Sequence, residues 1–348
     1  HHMWVHDTGG EGFYVGSTQS NGHTITCAGQ QEVHQPHFLE GIEIHDMLIE
    51  DTGWDGMQVG MAHQGCAVRD NVIRRVGLAG EQYQQQGLQI GTYSRCEVRR
   101  NTLSDGPAMG VFVLGAFDTT VADNVIARFG EDTVYANLNM TPGPAAYRIV
   151  HNTLLGFGGS AVRVFGDQVE GAVAWNNFVV GPDTAIAAGG DVGWEASGNV
   201  FAPDAESAGF VDATADDFHL LDDSPARGAG VDHTQDGFDV DRDGYLRAMP
   251  PAAGAYEHLG DSPTGGAGGG ASSSSASSAA AGSAASGAGA GAGSSGAGGG
   301  AAEDGDGDGE SGCDCRSRPT RDGGAPLAFG LLVAAALTRA RRGCRRPR

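Results

Sequence analysis

The chain has 348 residues, of which 59 are glycine and only 18% are charged, and its formal net charge is −22. This composition favours an all-β repeat fold followed by low-complexity sequence and argues against a helical protein. All 21 basic residues are arginine, so no lysine can serve as a catalytic base or Schiff-base nucleophile. A strongly acidic protein repels phosphates and is therefore a poor candidate for binding nucleic acid. The charge is compatible with an exported protein or a Ca²⁺-binding protein, or it serves only to keep the protein soluble.

A long repeat opens the chain. His1–Gly16 (HHMWVHDTGGEGFYVG) and His45–Gly60 (HDMLIEDTGWDGMQVG) are identical at eight of sixteen positions, at an offset of 44 residues. Self-similarity at a fixed offset is typical of repeat architectures. The chain is therefore expected to begin inside a repeat, with further repeats upstream. Residues 17–40 interrupt the pattern and are expected to form a loop beside the repeats.

A shorter repeat follows, in which each unit carries one asparagine and then an apolar triplet marked by glycine. The asparagines, 22 to 30 residues apart, are Asn71, Asn101, Asn124, Asn152, Asn177 and Asn199. Units of about this length predict a coil with three short strands and three bends in each turn, whose inward apolar side chains are buried only when turns stack. Asparagine suits a bend because it tolerates unusual φ values and its amide can bond the neighbouring turn.

On these repeats, residues 1–202 resemble the right-handed parallel β-helix family, the architecture of pectate-lyase-like proteins. A β-sandwich with irregular strands is the alternative. The resemblance implies a fold rather than an activity, because this architecture hosts lyases, hydrolases, epimerases and non-enzymatic surface proteins.

The middle residue of each apolar triplet is expected to point outward along one face of the coil. These residues are Tyr14, Gln58, Gln89, Phe112, Tyr135, Arg163 and Ile186. Aromatic rings, amides and an arginine can stack on sugar rings, bond hydroxyls and clamp uronate carboxylates. The first six residues are therefore predicted to bind polysaccharide, with ordinary surface composition as the alternative.

Four carboxylates in the Asp-Thr-Gly bends before that face are candidates for catalysis: Asp7, Glu11, Asp51 and Asp55. Two rows of carboxylates can act as acid and base around a glycosidic bond, or bind Ca²⁺ that neutralises a uronate. A lyase also needs a base, for which the neighbouring candidates are Tyr83, Arg74, Arg75, His45 and His63. The Asp-Thr-Gly sequence is also common in turns that have no catalytic role, so a purely structural role for these carboxylates is the alternative.

Cysteine positions predict one disulfide. Cys66 and Cys96 each lie two residues before the strand that opens an asparagine-bearing segment. Stacking of turns would place the two residues near strand spacing, which is compatible with a disulfide. Cys27 is a competing partner for either of them.

Residues 203–260 change character. The segments Asp217–Gly230, Asp239–Gly244 and Gly254–Glu257 resemble the closing region of bacterial surface β-helix proteins, which implies a C-terminal cap on the stack. Within it, Asp239, Asp241 and Asp243 precede Gly244 in a D-x-D-x-D-G pattern that is typical of the start of a Ca²⁺ loop. A solvated acidic turn is the alternative, because Pro250 occupies the position where a twelve-residue loop would need an acid.

The tail has two parts. Residues 261–310 are predicted to be a disordered spacer, in which residues 261–302 are almost all Gly, Ala and Ser and Glu303–Glu310 form an acidic run. Residues 311–348 hold Cys313 and Cys315, a short apolar stretch and an arginine-rich end. This order resembles a tripartite sorting signal of the MYXO-CTERM type, which implies that the two cysteines are the processing and anchoring point. A plain single-pass anchor is the alternative.

Together these features predict a monomeric, surface-anchored extracellular β-helix protein that binds polysaccharide and is a candidate for cleaving it. Its expected partners are the polysaccharide and, through the tail, a sorting protease and the cell envelope, with no nucleic acid. The alternative is a non-enzymatic structural or adhesive surface protein.

Overall fold

The computed structural model describes residues 1–257, except 18–19, 28, 138–144, 167–170, 183–184, 190–193 and the side chains of 187–189 and 194. The predicted spacer, the sorting signal, Cys313 and Cys315 lie outside the described residues. Among the residues it does describe, no helix is both long and apolar enough to cross a membrane.

Three parallel sheets form the body of the protein. Sheet A contains β1 (Trp4–Thr8), β7 (Leu48–Thr52), β11 (Val72–Arg74), β14 (Thr102–Gly106), β17 (Val125–Phe129), β20 (Thr153–Phe157), β23 (Phe178–Val180) and β26 (Val200–Ala202). Sheet B contains β2 (Phe13–Val15), β8 (Met57–Val59), β12 (Leu88–Ile90), β15 (Val111–Leu114), β18 (Val134–Asn137), β21 (Val162–Phe165) and β24 (Ile186–Gly189). Sheet C contains β6 (Glu43–His45), β10 (Cys66–Arg69), β13 (Cys96–Arg99), β16 (Thr119–Ala122), β19 (Tyr147–Val150), β22 (Ala172–Trp175) and β25 (Trp194–Ser197).

Smaller elements complete the description. A two-stranded sheet joins β3 (His23–Cys27) to β4 (Gln30–His34), and β5 (Leu39–Glu40) pairs with β9 (Ala62–Gln64). Near the C-terminal side, β27 (Phe210–Asp212) and β28 (Asp217–Leu220) form an antiparallel pair around a 3-10 turn at Ala213–Ala215. A second 3-10 turn spans Thr234–Asp236.

The chain visits sheets A, B and C in turn, so each circuit adds one strand to each sheet and the fold is a parallel β-solenoid. The all-β repeat prediction is confirmed. The 44-residue offset is also the register of the first two circuits, because Trp4 lies beside Leu48 and Phe13 beside Met57.

Inward side chains stack on one another from turn to turn. In sheet A the stack runs through Ile49, Ile73, Leu103, Ile126, Leu154 and Val179. All six are fully buried, and they join the inward residues of sheets B and C in one apolar cluster. Burying this surface requires neighbouring turns, which makes the stack the main source of stability.

The six asparagines form a continuous ladder at the bend between sheets C and A. The backbone N–H and the side-chain Nδ2 of Asn101 both donate to Oδ1 of Asn124, at 2.9 and 3.0 Å. The same Nδ2 donates to the carbonyl of Val68 at 2.9 Å. The pattern repeats at every rung from Asn71 to Asn199. Each amide from Asn71 to Asn177 therefore bonds the turns on both sides, as predicted. The unusual φ expected at asparagine lies instead on the residue before it, as at Arg100 and Asp123.

Residues 203–257 form a C-terminal segment that packs along the outer side of the solenoid. Phe210, Phe218 and Tyr256 share a buried cluster with outward residues of sheet A such as Leu155 and Phe178. The segment also reaches back to early turns, where Arg242 donates to the Asn101 carbonyl at 2.7 Å. These contacts lie along the outer face of sheet A, which carries apolar residues as well, and a cap on the end of the stack stays a prediction.

The guanidinium of Arg247 anchors this segment. It is fully buried and donates to Asp123 at 2.8 Å, and Asp123 also accepts from Arg99 at 2.9 Å. A buried arginine is tolerated when its charge is paired, so this contact fixes where the segment crosses the bend between sheets C and A.

Replacing one inner rung of the ladder tests its contribution. In a fully buried bend, Asn124→Ala removes the acceptor of the Asn101 backbone N–H and of one of the two Asn101 Nδ2 bonds, and it removes a donor to the Val98 carbonyl. We expect the free energy of unfolding, measured by urea denaturation, to fall by about 3 kcal/mol. The half-buried terminal rung Asn199→Ala should lose about 1 kcal/mol. Exposed Asn21→Ala is the control, and an Asn124→Ala variant as stable as that control would contradict the role of the ladder.

Candidate functional site

The predicted binding residues do lie in one row on the outer surface of sheet B. Strand register places Tyr14 beside Gln58, Gln58 beside Gln89, and the row continues through Phe112, Tyr135 and Arg163. The last predicted member is wrong, because Ala187 rather than Ile186 lies beside Arg163. Ile186 is in register with Val162, the inward residue of the preceding turn, and therefore packs against the core.

Exposure along this row is uneven. Tyr14 is 44% exposed, whereas Gln58 and Gln89 are only 2% and 6% exposed. Gln58 donates from Nε2 to Gln84 Oε1 at 2.7 Å, and Gln84 belongs to the long connection between β11 and β12. That connection folds over sheet B, so the two glutamines are covered by the chain itself.

Farther along the row, three side chains stack on one another. The rings of Phe112 and Tyr135 are 5.4 Å apart and nearly parallel, and the Arg163 guanidinium lies 4.1 Å from the Tyr135 centroid. Arg163 also forms an ion pair with the buried carboxylate of Asp132 at 2.5 Å. Tyr135 is consequently only 8% exposed, while 38% of the Arg163 side chain reaches solvent. The part of this stack that solvent can reach is therefore formed by Phe112 and Arg163.

The first row of predicted catalytic carboxylates lies at the bend after sheet A. Asp51 accepts two hydrogen bonds from Arg75, at 2.8 and 2.9 Å, and these contacts hold the pKa of Asp51 below its usual range. Glu50 accepts from Arg74 and Arg75, which also lowers its pKa. Asp7, in the preceding turn, is mostly exposed and pairs with His6 at 2.7 Å. Arg74 and Arg75 therefore serve ion pairs here and are not free bases.

The second row lies at the bend before sheet B. Asp55 is fully buried, and its oxygens accept from the Gln86 N–H at 2.7 Å and from Gln58 Nε2 at 2.5 Å. Burial raises the pKa of Asp55 to about 7, and the nearby charge of Glu11 acts in the same direction. Such a pKa suits a general acid, but a carboxyl group with no exposed surface cannot reach a substrate in this conformation.

The remaining base candidates are dispersed. Tyr83 is strongly exposed on the connection over sheet B, and His45 pairs with Asp46 at 2.6 Å in sheet C. His63 lies in β9, at the bend between sheets B and C. In the described part of the chain, none of these three residues forms a hydrogen bond with Asp55, which accepts from Gln58 and Gln86.

The D-x-D-x-D-G loop is organised by its own backbone. Asp241 is buried and accepts from the N–H groups of Asp243, Tyr245 and Glu257, at 2.8 to 2.9 Å. Asp243 pairs with His219 at 2.8 Å, and Asp239 is exposed. In the described part of the chain, no three His, Cys, Asp or Glu residues are grouped to hold a metal. The loop geometry is that of a closed turn, and Ca²⁺ binding stays a prediction.

An aromatic cluster at the bend between sheets B and C was not predicted from the sequence. Its rings are those of Phe38, His63, Tyr93 and Phe117, with neighbouring centroids 4.8 to 6.1 Å apart. Arg95 lies over Phe117 at 4.5 Å. The available signal was an aromatic residue shortly after a strand of sheet B, but the spacing differs between turns and Phe38 comes from the insertion.

The predicted disulfide is confirmed. Cys66 and Cys96 are register partners in sheet C, with Cα atoms 4.5 Å apart and an S–S bond between them. The bond links two successive turns, and each cysteine lies three residues after a ring of the aromatic cluster, His63 or Tyr93.

Comparisons with protein-family models, curated proteins and solved structures found no match to the chain. The surface features described above are therefore the basis for a functional proposal.

The buried carboxyl group of Asp55 predicts an unusual pH dependence of stability. Folded Asp55 keeps its proton up to about pH 7, whereas the unfolded chain releases it near the ordinary pKa of 3.8. The folded state thus binds more protons between these values, and this contribution to stability is lost as pH rises through the window. Asp55→Asn should remove that loss and exceed the parent protein in stability at about pH 8, by on the order of 2 kcal/mol.

Urea unfolding at several pH values measures this effect. Glu206→Gln, at an exposed carboxyl group, is the control and should follow the parent protein. Equal pH dependence in Asp55→Asn and the parent protein would contradict the assignment of a retained proton.

Proposed function

We propose that this protein is exported and binds neutral polysaccharide along the outer surface of sheet B. The observation that carries the proposal is the Arg163 guanidinium, which lies over the Tyr135 ring and is paired with Asp132 while part of the side chain stays exposed. A side chain held in this way has little rotamer entropy left to lose on binding. A parallel sheet that presents one strand after another at a constant spacing also suits a long polymer of repeating units.

The charges favour neutral sugar units over acidic ones. Asp132 already balances the charge of Arg163, so a uronate carboxylate would compete with a buried partner. The chain as a whole carries a formal charge of −22, which disfavours long polyanions. Hydroxyl groups can accept from the exposed guanidinium without disturbing the ion pair.

Several features support export. The disulfide between Cys66 and Cys96 suits an oxidising compartment, and the low-complexity sequence of residues 261–310 suits a spacer. We propose that Cys313 and Cys315 then serve as the processing and anchoring point at the cell envelope.

Cleavage is not part of the proposal. Asp51 is engaged by Arg75, and Asp55 is buried, so neither offers a free carboxylate to a glycosidic bond. A glycosidase needs two such groups facing the same bond. The non-enzymatic alternative, a structural or adhesive surface protein, is favoured by the same observation.

Binding to soluble neutral polysaccharides tests the proposal. The double variant Arg163→Gln/Asp132→Asn removes the charged pair without leaving a buried charge behind. Affinity electrophoresis should show about tenfold weaker retention by glucan, mannan or xylan, because a pre-organised hydrogen-bonding group is lost.

The matched control is Arg227→Gln/Asp222→Asn, which removes an exposed ion pair of the C-terminal segment. Retention should be unchanged in that variant. A parent protein that no neutral polysaccharide retains would overturn the proposal in favour of a purely structural role. Release of new reducing ends or unsaturated products would show that cleavage had been wrongly set aside.

A further inference from the structure

The bend between sheets B and C carries a second surface with the features of a binding site. Phe38 precedes β5, and His63 lies in β9, the strand paired with β5. Tyr93 and Phe117 occupy the equivalent bend in the next two turns. The aromatic cluster therefore takes one residue from each of four successive turns and runs parallel to the axis of the solenoid.

Core packing does not explain these rings. None of the four belongs to the buried apolar clusters, and the inward stack is complete without them. Phe38 is 55% exposed, although it touches both His63 and Tyr93. Contiguous apolar surface of this kind on a soluble protein marks a place where something binds.

Three of the four contacting ring pairs meet at steep angles, and the fourth, Phe38 with His63, is tilted by 43°. Interplanar angles are 74° for Phe38 with Tyr93, 76° for His63 with Phe117 and 61° for Tyr93 with Phe117. In the sheet B row, by contrast, Phe112 and Tyr135 lie nearly parallel at 21° and shield each other's faces. The bend thus differs from the sheet in leaving parts of ring faces for a ligand.

Polar groups border the rings, and their charges are balanced. Arg95 lies over Phe117 and forms an exposed ion pair with Asp118 at 2.6 Å. Among the described residues, nothing bonds to the buried Nδ1 of His63. The site therefore combines ring surface, a balanced pair of hydrogen-bonding groups and an imidazole whose bonding capacity the chain does not use.

We propose that this aromatic cluster, with Arg95 and Asp118, is a second saccharide site that binds a neutral pyranose ring. The C–H faces of a pyranose pack on exposed aromatic rings, and its hydroxyls bond to the paired arginine and aspartate. The inference rests on the proposed polysaccharide function for the identity of the ligand. The two surfaces are continuous along the chain, because Phe112 of sheet B and Phe117 of the cluster belong to one strand and the bend that follows it.

Calorimetric titration with neutral hexasaccharides of glucose, mannose and xylose tests the site directly. Phe38→Ala removes the most exposed ring and does not touch the core. It should weaken binding of the preferred hexasaccharide at one of two sites about tenfold. Phe117→Leu is a second variant that keeps apolar volume but removes the ring, and it should have the same effect. Tyr245→Ala, at another exposed aromatic residue, is the matched control.

The outcomes separate the two sites. Loss of one site in Phe38→Ala and Phe117→Leu, with the other site kept, supports the inference. Unchanged binding in both variants, together with weaker binding in Arg163→Gln/Asp132→Asn, would overturn it and leave the sheet B proposal standing. The reverse result would support the bend and remove sheet B from the function. No binding of any hexasaccharide or polysaccharide by the parent protein would overturn both.

Discussion

The asparagine ladder is the constraint on which the rest of the structure depends. Each buried amide bonds the turn before it and the turn after it, so no rung can shift by one residue without leaving several buried polar groups unpaired. A shift of one residue would also turn every inward side chain of a strand outward. The ladder therefore fixes both the register of three sheets and the direction of each side chain on them.

Because the register is fixed, equivalent positions on neighbouring turns are direct neighbours. Like charges at such positions are therefore unfavourable. Two like charges at one position would lie a strand spacing apart. At the left-handed positions that end the strands of sheet A, acid and base alternate from Asp51 onward: Asp51 pairs with Arg75 at 2.8 Å and Asp105 with Arg128 at 2.6 Å. Acids and arginines at these bends form ion pairs between stacked turns. The carboxylate of Asp51 in an Asp-Thr-Gly bend therefore has a structural role that is independent of catalysis.

The sequence was a good guide to what repeats and a poor guide to what does not. Asparagine spacing and the 44-residue offset were sufficient for the solenoid, the outward row of sheet B and the Cys66–Cys96 bond, because each follows from stacking of equivalent positions. Periodicity carried no information on the connection that covers Gln58, nor on the C-terminal segment that lies along sheet A. Both are single, non-repeating pieces whose position depends on tertiary contacts.

The same distinction bears on where a solenoid can recognise a ligand. On a flat sheet, equivalent side chains stack on each other. In the Phe112–Tyr135–Arg163 stack, these contacts cover ring surface that would otherwise be available to a ligand. At the bend between sheets B and C, neighbouring rings instead meet at steep angles, as Tyr93 and Phe117 do at 61°. Recognition by this fold is therefore expected to depend on residues that break the repeat, and Phe38, supplied by the insertion, is one of them.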